Sequence, residues 1–182
     1  MYFDKPGRGN TDEVLRLVKN RAEDLDIKTI IVASNAGSTA LKAAEVCEGK
    51  RIVAVSLYTG WKGPDVQLFT EERKRELESK GGVLLTATHI FSGVNRAMQK
   101  KFNMYLLGET IAFTLRLFGD GMKVVCEMAL MAADAGLVRT NEDVISVAGT
   151  AWGADTAVVL KPVNSADFFD LKVKQILCKP RF

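Results

Sequence analysis

The stretch Ser34-Asn35-Ala36-Gly37-Ser38-Thr39 stands where a β-branched apolar run gives way to a helical pattern. A loop of this composition turns unpaired backbone N–H groups toward an anion, with glycine admitting close approach and hydroxyls adding donors. Its chemistry is that of a phosphate cradle. The alternative is local: Ser34 or Ser38 merely caps the helix that follows. A second small, hydroxylated, glycine-rich stretch, residues 149–156, offers Gly149, Thr150, Gly153, Asp155 and Thr156. Two more polar loops follow apolar runs: residues 58–65, with Thr59, Gly60 and Trp61, and residues 86–89, with Thr88 and His89.

His89 is the only histidine. Alone it makes neither a metal site nor a triad, so it reads as a ligand contact, a structural hydrogen bond or a general acid–base group. Asp65, Asp120 and Asp155 can orient sugar hydroxyls, but turn formation explains them equally well. Arg96, Lys100 and Lys101 form a basic group that steers anions or simply faces water. No complete catalytic constellation emerges, and no metal site is expected.

The elements that must position these loops are legible. Val14, Leu15, Leu17, Val18, Ala22 and Leu25 recur at helical spacing behind Asn10 or Thr11, either of which suits a helix cap. Residues 29–33 form an apolar strand without polar alternation, as expected of a strand covered on both faces. A helix from Ser38, carrying Ala40, Leu41, Ala44 and Val46 inward, and a strand over residues 51–55 complete a β-α-β unit. A charged helix over residues 70–80 and a strand over residues 83–85 extend it. Residues 103–135 are a helical block split at Gly119-Asp120-Gly121. Its second half is a core helix in which Asp120, Lys123, Glu127 and Asp134 make a thin polar stripe. A fourth parallel strand covers residues 144–148, and β patterns at 156–161 and 172–178 finish the sheet as hairpin-like edge strands.

Length and composition bound the function. One domain is expected over residues 1–182, with a core adequate to fold unaided. The 47% hydrophobic share is that of an ordinary globular protein, and the apolar run at residues 124–135 is too short for the ~20 residues a membrane helix needs. A net charge of +3 argues against a nucleic-acid partner. The N-terminus lacks the layout of a signal peptide, so a cytoplasmic protein is expected, and Cys47, Cys126 and Cys178 read as buried reduced thiols. A homo-oligomer is compatible with all of this.

The order of pieces TIIVASNAGSTALKAA, KRIVAVS, VLLTAT and EDVISVAGTAWGADTAVVL resembles the C-terminal domain of pyruvate kinase over about residues 12–178. The resemblance implies an α/β fold of three layers, with a mostly parallel sheet of order 3-2-1-4-5, the last strand antiparallel, flanked by helices. It also implies that the loops at Ser34 and Gly149 bind the phosphates of an effector across one crevice. No catalytic barrel is expected ahead of this domain, so pyruvate kinase activity is not expected either. The chain is similar to stand-alone archaeal proteins of this superfamily, and that likeness implies flavin mononucleotide (FMN). The first loop carries no Lys or Arg, which favours one phosphate over two. Trp61 and Trp152 are flat side chains that could flank a ring or pack under their own loops. The expectation is a module that binds a phosphorylated small molecule, best guess FMN; the alternative is a small flavin-dependent or phosphometabolite-processing enzyme.

Overall fold

The computed structural model describes residues 1–181. Four parallel strands form one side of a seven-stranded sheet: β2 (Thr29–Ala33), β3 (Arg51–Ser56), β4 (Val83–Thr86), which is its edge, and β5 (Val144–Ala148). A short β1 (Tyr2–Phe3) and the strands β6 (Thr156–Lys161) and β7 (Lys172–Pro180) complete the order β1-β7-β6-β5-β2-β3-β4. The expected five-strand order is present, with β6 antiparallel to β5. The sheet then continues further than expected: β7 runs antiparallel to β6, and β1 pairs with it in parallel through Tyr2 and Lys179. Two residues carry no readable period, so β1 leaves no mark in the sequence.

Alternate residues of each strand feed different layers. Ile30 and Val32 pack with α1 (Thr11–Asp24), α2 (Ser38–Val46) and Leu77 of α3 (Glu71–Ser79), while Ile31 packs with α6 (Asp120–Asp134) on the other face. Ile30 and Ile31 are both fully buried, each contributing about 1.5–3 kcal/mol relative to exposure. This double covering is why β2 shows no polar alternation. Behind α6, α5 (Leu107–Arg116) adds Ala112 against Leu130 and Phe91.

Several local expectations are corrected. Neither Asn10 nor Thr11 caps α1: the Asn10 amide donates to the Lys5 and Gly7 carbonyls, and the Thr11 hydroxyl is bonded to Arg8 and Ala154. Leu25 lies just past the end of α1 and is exposed. Arg96, Lys100 and Lys101 lie on a separate helix, α4 (Val94–Phe102), which buries no residue. Around α4 and α5, Val94, Phe102, Leu107, Phe113, Leu117 and Phe118 are exposed. No helix among the described residues is long and apolar enough to cross a membrane.

Candidate functional site

Parallel strands end on one edge of a sheet, and the order reverses between β2 and β5, where a crevice must open. A cavity of about 360 Å³ lies there. Residues from the loops after β2 and β5 line it, namely Ser34, Asn35, Ala36, Ser38, Thr39, Gly149, Ala151, Trp152 and Gly153, joined by Trp61 and His89. Two of the polar stretches marked in the sequence therefore share one wall of one site. Thr59, Gly60 and Thr88 are exposed and lie off the cavity, as do Gly37, Thr150, Asp155 and Thr156.

The first loop both caps and exposes its helix. The Ser34 hydroxyl accepts from the Ala40 amide at 3.1 Å, so Ser34 serves as the local cap, and Ser38 does not. The amides of residues 35–39 engage no acceptor among the described residues, which leaves the positive end of α2 open to an anion. Gly37 turns the chain with φ +95°, and a β-carbon there would meet Arg73 Cδ at 2.9 Å and Phe69 Cζ at 3.2 Å. Its need for glycine comes from the left-handed backbone and from α3 packing behind the loop, where Arg73 also donates to the Ala36 carbonyl.

Asp155 has a structural task. It is fully buried, and Oδ2 accepts from the amides of Gly7 at 2.8 Å and Thr150 at 2.9 Å. The Thr156 hydroxyl donates to Oδ1 at 2.8 Å. With these bonds Asp155, Thr156 and the Thr150 amide tie the β5–β6 turn to the N-terminal segment. Gly149 is needed in that turn, because a β-carbon would stand 2.6 Å from the Gly153 carbonyl oxygen.

The cavity floor comes from α6, which no loop motif announced. A helix that leads into a parallel strand runs against it, so the N-terminal half of α6 arrives at the edge where β2 and β5 end. Asp120, Lys123, Val124 and Glu127 line the cavity from that half, whereas Asp134, of the same stripe, bonds Asn164 and the Ser165 amide elsewhere. Lys123 and Glu127 are an ion pair with side chains 9% and 3% exposed. Glu127 Oε1 also accepts the Phe91 amide at 3.0 Å. Arg116, bonded to Asp120 at 3.1 Å, brings a second cation. The cavity therefore holds two cations that its first loop lacks, each paired with a carboxylate that also lines it, Asp120 or Glu127. A lone lysine and glutamate at i, i+4 in an otherwise apolar helix were the available signal.

His89 completes the group. Its Nε2 lies 3.3 Å from the Ser56 carbonyl, which can only accept, so Nε2 holds the proton and Nδ1 faces Glu127 Oε2 at 4.0 Å. Burial pushes the His89 pKa below its ordinary value, outweighing the upward pull of Glu127 and of the Ser56 bond, and Lys123 adds to the fall. Burial likewise lowers the Lys123 pKa against the attraction of Glu127. The His89 ring packs with Tyr58 at 5.9 Å and Trp61 at 5.7 Å, centroid to centroid, and Arg96 stacks over Trp61 at 4.0 Å. No cluster of metal-ligating side chains occurs among the described residues.

The family model of the pyruvate kinase alpha/beta domain matches residues 12–160, which is most of the chain, and the protein belongs to this family. Among solved structures, two of pyruvate kinase from Cryptosporidium parvum are similar to it, each at 15% identity with a TM-score of 0.45. The matches cover 84% and 87% of this chain, and 23% of each of those longer chains.

Proposed function

We propose that the cavity binds a phosphate-bearing small molecule, with the phosphate at the start of α2 and the rest of the ligand running toward Trp61 and His89. The observation that carries this is the unengaged run of amides at residues 35–39, facing a cavity that also holds Lys123 and Arg116. Free backbone donors at a helix start, the helix dipole and the nearby side-chain cations, Lys123 buried and Arg116 exposed, together favour an anion more than any one of them does. On the outer side of Ser38 and Thr39, a hollow lined by Arg8 and by the Lys42–Asp12 ion pair adds one cation unpaired among the described residues, Arg8.

FMN is the leading candidate. Arg116 and Lys123 are each paired with a carboxylate that lines the same cavity, so charge alone is a weak guide to one phosphate or two. Shape does the separating: Trp61, His89 and Trp152 give the cavity flat walls that suit a ring system better than a second phosphate group. Native mass spectrometry of freshly purified protein tests this, with a mass increment equal to FMN expected. A fructose bisphosphate increment would leave a sugar-phosphate module in place of the flavin reading.

A second reading, a small enzyme acting on the bound phosphorylated compound, is favoured by one observation. His89 lies on the cavity wall with its Nδ1 4.0 Å from the Glu127 carboxylate, an arrangement that would stabilise the imidazolium formed by a general base.

A further inference from the structure

Trp61, His89, Arg116 and Lys123 also form one side of an adjoining chamber of about 320 Å³. Its far side is built by α4, α5 and the segment between them, with Arg96, Tyr105 and Phe113, and by Phe91 of the loop that precedes α4. We propose that this chamber is a site for a second ligand, an aromatic carboxylate, next to the phosphate-bearing molecule of the first cavity. The inference goes beyond the reading above and stands without it.

The walls specify a ring. Four aromatic side chains surround a volume near the lower end of the roughly 300–1,000 Å³ usual for ligand pockets, which suits a single ring. Tyr105 and Phe113 pack edge to face at 5.9 Å and are 58% and 55% exposed, so ring surface remains for a ligand to cover. The charge specifies an anion. Arg96 lies over the Trp61 ring, its guanidinium carbon 4.0 Å from the ring centre, and has no carboxylate partner among the described residues. Arg116 gives Asp120 its Nε, which leaves the terminal nitrogens of its guanidinium uncommitted. Lys123 Nζ sits 5.8 Å from the centre of the Phe91 ring. Glu127 pairs with Lys123 and Asp120 with Arg116, and Glu109, whose carboxylate accepts the Leu106 amide, lines the chamber as well, so Arg96 is the cation left for a ligand and Arg116 adds its free terminal nitrogens.

The geometry specifies a carboxylate rather than a second phosphate cradle. The Leu106 amide at the start of α5 is held by Glu109, and the Asn95 amide at the start of α4 by the Ser92 carbonyl. What remains is two planar guanidinium groups among flat rings, a match for a flat anion that continues into an aromatic ring.

The test is a titration of the full chain with benzoate, read by tryptophan emission in a Trp152→Phe background, where Trp61 is the only tryptophan. Saturable quenching is expected. Benzamide, without the charge, and cyclohexanecarboxylate, without the aromatic ring, should each bind about tenfold more weakly or not at all, as should benzoate with Arg96→Gln or Phe113→Ala. Absence of saturable quenching, or equal binding of all three compounds, would overturn the proposal. Benzoate binding by protein that ignores FMN would uphold this chamber while refuting the flavin reading, and the reverse result would do the opposite.

Discussion

His89 lies where the account is most exposed to a simple measurement. Its folded pKa is lowered from the ordinary 6.5, so the unfolded chain binds a proton more readily than the folded one. Stability attributable to this residue is therefore present above pH 6.5 and declines as pH falls through that value. Proton NMR of the single histidine should give a titration midpoint under 6.5; a midpoint at or above it would mean that the pull of Glu127 wins over burial. The neighbouring ion pair yields a second expectation. Lys123→Met strands a buried Glu127 and should cost about 3–5 kcal/mol in denaturant unfolding, and adding Glu127→Gln should recover part of the loss. Additive losses in that double mutant would show the pair to be uncoupled.

Among elements, the turn between β5 and β6 depends on Asp155, whose carboxylate serves donors from Gly7, Thr150 and Thr156. Asp155→Ala orphans those buried donors and should lower stability by about 3 kcal/mol or more, with the N-terminal segment losing amide-exchange protection first. Unchanged protection at Gly7 would dissociate that segment from the turn. The same residue shows where sequence reading runs out. An acid in a glycine-rich loop looks like a ligand contact, but the amide that claims it comes from Gly7, 148 positions away. The strand-to-helix turn at Ser34 to Thr39 was legible because its signal is local: apolar strand, small polar turn, helix. Lys123 and Glu127 were not, because their position depends on the direction in which α6 crosses the sheet. Gly37 falls between these cases. Its need for glycine was readable, but Arg73, the neighbour that also requires it, arrives from another helix. Gly37→Val should distort the cradle and weaken anion binding while leaving the sheet intact by circular dichroism.

At the scale of the whole molecule, the fold brings together features that are modest alone. Two glycine-rich loops become one wall because β2 and β5 are neighbours, and a buried charge pair becomes the floor because α6 returns to the same edge. The central strands and their order could be read from hydrophobic runs and from family likeness, whereas β1 and the chamber under α4 and α5 depend on contacts between distant segments. The three cysteines take no part in the site: Cys47, Cys126 and Cys178 are buried and free, and burial pushes each thiol up to about 11. The central claim is that a phosphate group is what the cavity recognises. Calorimetric titration of the protein with FMN and, in parallel, with riboflavin isolates that group, since the two differ by the phosphate alone. Saturable binding of FMN with riboflavin at least about a hundredfold weaker is the predicted result, a difference of about 2.7 kcal/mol. Equal binding of the two would contradict it, whereas binding of neither would refute the flavin and not the phosphate.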